Sequence, residues 1–328
     1  MTTGVWNPHR TVLPALAAFS LCIAAPPGHS QSYPAKPIKS LVTAGGPAEI
    51  IARMIAQKMS ESLGQPVVVE PGAAAGGSIA AAAVARAAPD GYTIMYAVPT
   101  PLVYRMFLAR NVPYDPIRDF TPLANLGHAA LVVAVPASSP FKNVNDAIAY
   151  AKANPGKLSY GTSGVGSAHH LSAELLAILA GLKMVHVPYK DSVQVVTETI
   201  AERIPLLFTV YGASAQSVAA GKLRFLGMNM PKRYPAAPDV ATITEQVPGY
   251  EAPPGWSAYF GPPNMPAPLV QRLNAELTKA LLHPDVAPKM QGLGILIETS
   301  TPAELGALLK RSLDYAGKTI KAAGIEPE

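Results

Sequence analysis

The residues best placed to do chemistry are Gly161, Thr162, Ser163, Gly164, Val165, Gly166 and Ser167, which run into His169, His170 and Leu171, with His186, Pro188, Tyr189 and Lys190 beyond. A glycine- and hydroxyl-rich turn between a short strand at 158–160 and a helix at 168–180 aims backbone N–H groups and hydroxyls at an anion beside a helix N-terminus. The spacing predicts a carboxylate cradle. Three more turns invite a similar reading: Gly45, Gly46, Pro47, Ala48 and Glu49; the run 72–78 with Ala74, Gly76 and Ser78; and Val98, Pro99 and Thr100. Each follows a predicted strand, and ligands of open α/β sheets collect at the carboxyl ends of strands. Neither glycine loop has nucleotide-binding spacing, and each by itself fits a structural turn as well as a binding loop.

Catalytic readings are weaker. Ser163 falls one residue short of a G-x-S-x-G elbow, because Val165 stands where that strained turn needs glycine. His170 and Glu174 share a helical face, and His169 and His186 could join them around a metal. With no H-E-x-x-H pattern and no cysteine nearby, satisfied or solvated histidines are expected, with no metal and no cofactor. The chain carries a formal charge of +5 but has no Lys/Arg run and no basic stripe with aromatics, which argues against nucleic acid as a partner. Lys310, Arg311 and Lys318 read as a solvated helix face. A modest positive field suits small anions.

The elements that must position these turns follow from periodicity. With 49% apolar and 14% charged residues, the chain is a well-packed globular protein rather than a disordered one. Strand-like runs alternate with helical patterns, which predicts parallel α/β sheets. A first series has strands at 38–42, 67–70 and 92–97 and helices at 49–63 and 77–87; Ile51, Met54, Ile55 and Met59 recur at helical spacing in the first helix. A connector marked by Pro113, Pro116 and Pro122 precedes a second series, with strands at 131–135, 158–160, 184–187, 206–208 and 223–228 and helices at 144–153 and 168–180. Two series predict two domains. A proline-rich stretch, 231–254, then leads to a strand at 256–260 and helices at 267–282, 285–293 and 302–323.

Behind Arg10, residues 12–25 form an apolar run too short to span a bilayer, and Gly28-His29-Ser30 has the small-x-small pattern of a signal-peptidase site. Residues 1–30 are read as a secretory signal peptide, an uncleaved anchor being the alternative. The single cysteine, Cys22, lies inside that segment, and Leu21 does not suit lipoprotein processing. The exported chain is therefore expected to be soluble, cysteine-free and unlipidated.

Many short motifs fall in one family's order: Tyr33-Pro34-Ala35-Lys36-Pro37-Ile38, Gly64-Gln65-Pro66-Val67, Ala88-Pro89-Asp90-Gly91-Tyr92, Pro113-Tyr114-Asp115-Pro116, Ala153-Asn154-Pro155-Gly156-Lys157, His186-Val187-Pro188-Tyr189-Lys190 and Ala220-Gly221-Lys222-Leu223-Arg224. Together they resemble the substrate-binding proteins of tripartite tricarboxylate transporters, the Bug-type periplasmic receptors. The resemblance implies a two-domain α/β periplasmic-binding-protein fold of type II, the Venus flytrap. Domain I would comprise 31–132 plus 250–328, and domain II 133–249. It implies a monomeric, non-enzymatic, periplasmic receptor that closes on a small carboxylate, a di- or aromatic carboxylic acid, and delivers it to membrane transporter subunits. A ligand-sensing partner of a signalling kinase is the alternative.

Position by position, the resemblance assigns the ligand to Gly46, Ala48, Glu49, Ala74, Gly76, Ser78, Pro99 and Thr100 on one side. Thr162, Ser163, Gly166, Ser167 and His169 would close over it from the other, with Tyr189 at the hinge side. The chain has Ala48-Glu49 where the family prefers a hydroxyl followed by Asp, Pro71 where Asn is common, and Thr209 where Asp usually follows the strand ending at Phe208. Thr209 cannot pair an ammonium, which disfavours amino-acid ligands. Tyr96, Tyr104, Tyr211 and Trp256 are either an apolar wall for the ligand body or ordinary core.

The export reading makes the first prediction. N-terminal sequencing of the exported product should begin near Gln31; a chain that still began at Met1 would contradict it.

Overall fold

The computed structural model describes residues 1–5 and 33–327; the signal-peptide reading of residues 6–30 lies outside them. The chain divides into a unit Met1–Tyr33 and a unit Pro34–Glu328, and the fold belongs to the second. Its elements run β1 (Ile38–Val42), α1 (Pro47–Leu63), β2 (Val67–Pro71), a 3-10 turn (Ala74–Gly77), α2 (Ser78–Ala85), β3 (Thr93–Ala97), a π turn (Thr100–Tyr104), α3 (Arg105–Leu108) and β4 (Thr121–Ala129). They continue with β5 (Leu131–Pro136), α4 (Val144–Ala153), β6 (Ser159–Thr162), α5 (Ala168–Ala180), β7 (Val185–Pro188), α6 (Ser192–Ile200), β8 (Leu207–Val210), α7 (Tyr211–Ala219), β9 (Leu223–Asn229) and α8 (Ile243–Gln246). The last are β10 (Ser257–Gly261), α9 (Ala267–Leu281), α10 (Ala287–Gly292), β11 (Ile295–Ile297) and α11 (Pro302–Ala323).

Two sheets result, one ordered β11-β4-β10-β3-β1-β2 and the other β7-β6-β8-β5-β9. The expectation of parallel sheets needs correction, because both are mixed. In the first, β1, β2 and β3 are parallel, while β10 returns antiparallel between β3 and β4. In the second, β6, β7 and β8 are parallel, and β5 lies antiparallel between β8 and β9. The reversed strands are those that enter from the other sheet, so the chain crosses twice, at Ala130 and again between β9 and β10.

Local chemistry explains the boundaries. Helix α1 starts with Pro47, whose missing N–H costs nothing at a helix start, and stops at Gly64, in the left-handed region at φ 68°. Its buried stripe is Ile51, Ala52, Ile55, Ala56 and Met59. Helix α11 opens on a capping box between Thr301 and Glu304 and ends at Gly324. Strand β4 occupies part of the expected proline connector: Pro122 is its second residue, and the ladder to β10 shifts register there. One apolar core joins Met95, Leu102, Leu108, Trp256, Phe260 and Ile320 of the first lobe with Leu171 of α5. A second core, around Val133, Phe141, Tyr160, Phe208 and Tyr250, fills the other lobe.

At the crossover, Ala130 donates its N–H to the Gly294 carbonyl (2.7 Å) and accepts from the Tyr211 N–H (2.8 Å). The start of α7 thereby meets the turn before β11 backbone to backbone. A Cβ on Gly212 would stand 2.0 Å from the Leu293 carbonyl oxygen. Replacing a helical glycine by alanine ordinarily stabilises by about 0.5–1 kcal/mol. Here the sign reverses: Gly212→Ala should destabilise the protein by about 1–3 kcal/mol through overpacking, read as a lower denaturation midpoint.

Candidate ligand-binding site

Three loops stand side by side at the carboxyl ends of β2, β1 and β3. After β1, Gly46 takes φ 64° and ψ −130°, a combination only glycine adopts without strain, and its carbonyl accepts the Glu49 and Ile50 N–H groups at 3.1 and 3.3 Å. Ala48 and Glu49 form the first turn of α1, where Glu49 is ion-paired to Arg53 one turn on. That pairing offsets the negative charge at the start of α1.

After β2, Ala75, Gly76 and Gly77 all adopt left-handed conformations, at φ 51°, 63° and 84°. Successive left-handed residues curl a backbone into a concave set of N–H groups, and a non-glycine residue there is strained, as segments at binding sites often are. Ala74 and Gly76 are exposed on this curl, and Ser78 begins α2. The two loops interlock, since a Cβ on Gly77 would lie 2.6 Å from the Thr43 carbonyl oxygen. After β3, Pro99 is buried and Thr100 starts the π turn that leads to Arg105. The Arg105 Cδ lies 3.5 Å, and the Thr100 methyl 3.6 Å, from where a Gly76 Cβ would stand.

The second lobe supplies the Gly/Ser turn at the carboxyl end of β6. Ser167 is the N-cap of α5, donating its hydroxyl proton to the Gly164 carbonyl (2.8 Å) and accepting from the His170 N–H (3.2 Å). Ser163 Oγ lies 2.7 Å from His169 Nδ1, and Thr162 Oγ1 lies 2.7 Å from His186 Nε2. The Gly166 N–H donates to His170 Nδ1 (3.1 Å), which leaves the neutral His170 with its proton on Nε2, 3.9 Å from the Glu174 carboxylate. Glu174 is itself hydrogen-bonded by the Tyr160 hydroxyl. His170 and His186 stack at 4.0 Å. Burial pushes His169 down to about 4, and burial together with the nearby His170 pushes His186 down to about 4, so both are neutral at pH 7.

Thr209 lies inside β8, which runs on to Val210, and not after a strand ending at Phe208. It is buried and faces Val132 in the antiparallel ladder. Gly161 opposes Leu207 in the parallel pairing of β6 and β8. Two residues further along that register, Ser163 is level with Thr209. The Thr209 hydroxyl and His169 Nε2 are both buried without a hydrogen-bond partner. Tyr189 donates its N–H to the Thr162 carbonyl (2.9 Å), and its ring covers Gly161.

The structure thus gathers the predicted residues into two sets, one at the carboxyl ends of each sheet's parallel strands. They approach through α3: Leu108 fills the space over Gly166, where a Cβ would stand 2.4 Å from its Cδ1. Two side-chain readings change. The Ser167 proton is committed to the Gly164 carbonyl while its oxygen caps α5, and Thr162 is fully buried with its hydroxyl held by His186 and Gly164. Of the aromatics read as wall or core, Tyr96, Tyr104 and Trp256 are core. A cavity of about 460 Å³ lies at the crossover, lined by Asn125, His128, Asn229, Glu298 and Arg311 among others, and contains none of the predicted residues. Sequence reasoning missed Arg105, which no motif or spacing distinguishes from any other lone arginine.

Two α/β lobes joined by two crossovers define a two-domain periplasmic-binding-protein fold. Residues 51–325 match the model of the tripartite tricarboxylate transporter family receptor, and the chain belongs to that family. A Pseudomonas sp. (strain P51) protein, described as a UPF0065 protein in the tcbD-tcbE intergenic region, is 36% identical over 315 residues, covering 95% of this chain and 93% of its own length. The solved structure of R. palustris Rpa4515 with adipate superposes at a TM-score of 0.83 with 31% identity, covering 90% of this chain and all of its own. MatC from Rhodopseudomonas palustris, with bound malate, superposes at 0.78 with 27% identity over 88% of this chain and all of its own.

The site yields a prediction about pH. Between pH 6.5 and about 4 an unfolded His169 takes up a proton that the buried, folded His169 does not. Stability should therefore fall as pH drops through that window, by up to about 1.4 kcal/mol per pH unit from this one group, and the loss should level off below about 4. Denaturant titrations of His169→Gln across the window should show a shallower slope than the parent; an equal slope would contradict the reading. A second prediction separates two serines. Ser167→Ala should cost about 1 kcal/mol of stability through the lost cap and act on ligand affinity only indirectly, whereas Ser163→Ala strips the buried His169 Nδ1 of its partner and should cost about 1–3 kcal/mol of stability together with ligand affinity.

Proposed function

We propose that this chain is a periplasmic receptor that binds a small carboxylic acid between its lobes and presents it to the membrane subunits of a tripartite tricarboxylate-type transporter. One observation carries the reading: both sheets end in loops that open helices and offer backbone N–H groups, and the two sets of loops approach each other through Leu108 and Gly166. Family membership supports the transport role, and the adipate and malate held by relatives support the ligand class.

The acting residues are Gly46, Ala48, Glu49, Ala74, Gly76, Ser78, Pro99 and Thr100 of a domain comprising 31–132 and 250–328, with Thr162, Ser163, Gly166, Ser167, His169, Tyr189 and Thr209 of a domain comprising 133–249. The loop residues contribute mainly through their backbones. Ser163 and His169 contribute side chains, and Thr162 and Ser167 hold the turn in shape. The receptor works as a monomer. Ligand contacted by both lobes stabilises the form in which they meet, and the membrane partner recognises that form. The Ser163–His169 pair lacks the acid that orients a catalytic imidazole, because His169 Nε2, the ring nitrogen not facing Ser163, is buried without a hydrogen-bond partner.

Thermal denaturation against a panel of carboxylic acids, sugars and amines tests the ligand class. An acid at a hundredfold excess over its dissociation constant should stabilise the fold by about 2.7 kcal/mol and raise the melting temperature by several degrees. A shift from a neutral sugar or an amine, with none from any acid, would contradict the proposal.

A further inference from the structure

The Arg105 side chain is half-buried, yet among the described residues no carboxylate pairs with it, and its Nε–H is buried without an acceptor. A guanidinium is charged at every physiological pH, and a buried donor of a charged group left without an acceptor is costly. Its position is specific. The Cδ packs over Gly76, on the left-handed curl after β2, beside the Thr100 methyl. One helical turn along α3, Leu108 meets Gly166 in the opposite lobe. Arg105 therefore stands between the loops of the first lobe and the Gly/Ser turn of the second. The acidic residue on those first-lobe loops, Glu49, is already taken by Arg53.

We propose that Arg105 determines ligand specificity by pairing with a second carboxylate, so that the receptor selects dianionic acids over monoanionic acids of the same skeleton. This rests on the reading of the cleft as a carboxylate site. Backbone N–H groups supply partial charges sufficient for one carboxylate. A second carboxylate entering the same poorly solvated space meets repulsion from the first and needs a full positive charge. The planar guanidinium meets it with two parallel N–H donors, a geometry that the point charge of a lysine does not reproduce.

Calorimetric titration with adipate against hexanoate, and terephthalate against benzoate, tests the assignment on the parent, Arg105→Gln and Arg105→Lys. The parent should prefer the diacid of the pair that fits by about ten- to a hundredfold. Arg105→Gln should lose that preference, with diacid affinity falling by the same factor and monoacid affinity changing less than about threefold, and Arg105→Lys should fall between. Unliganded melting curves establish that the variants fold. A parent that binds mono- and diacids equally, or an Arg105→Gln loss of the same factor for both, would overturn the assignment and leave the carboxylate reading intact. A parent that binds none of the four acids while taking up a sugar or an amine would overturn the carboxylate reading itself, and this assignment with it.

Discussion

The close backbone approach at Ala130, Gly212 and Gly294 is the constraint on which the rest of the structure depends. There one residue, Ala130, belongs to both lobes, because its N–H bonds to the first and its carbonyl to the second. Side chains at positions 212 or 294 would hold the start of α7 away from the turn before β11. With that spacing fixed, β5 enters the second sheet between β8 and β9, and β10 returns to the first between β4 and β3. The parallel strands β1, β2 and β3 and β6, β7 and β8 then point their carboxyl ends, with the loops that follow, into the region between the lobes.

In that region hydrogen-bonding falls mainly to backbone N–H groups, hydroxyls and imidazoles held by them. Three histidines adjoin the turn before α5, His169 and His170 in α5 and His186 in β7, with Ser163, the Gly166 N–H and Thr162 as their respective partners, and burial keeps His169 and His186 neutral. A neutral frame of N–H groups and hydroxyls binds an anion without the desolvation cost of a buried salt bridge. It also leaves net charge to single additions at the rim. Arg105 adds positive charge, while Glu49, tied to Arg53, withholds negative charge. Ligands could thus be changed within one frame by exchanging rim residues, whereas exchanging residues of the turn would disturb α5 and its packing on Leu108.

Periodicity made β1, α4, α5 and α11 legible to the residue, because each combines a clean apolar pattern with a cap or a turn signal. It failed at β4, where Pro122, Asn125 and Gly127 interrupt the alternation and only pairing with β10 and β11 makes a strand. It also passed over α6 and α7, short helices whose threonines and serines bond back to their own helices' backbone rather than advertise a helix. The loops of the proposed site were legible as turns from glycine spacing. What each hydroxyl does was not: Ser163 and Ser167 look alike in sequence, and only geometry shows that the Ser167 oxygen caps α5 while its proton goes to the Gly164 carbonyl. Arg105 and Thr209 became meaningful through neighbours far away in the chain.

The central claim is that one small carboxylate is held jointly by the two sets of loops. A crystal structure of the protein with adipate tests it directly. The account predicts a carboxylate within hydrogen-bond distance of backbone N–H groups in both 46–49 or 74–78 and 163–169, with Ser163 among its partners. Adipate found in the cavity beside His128 and Arg311, or held by one lobe alone, would contradict it.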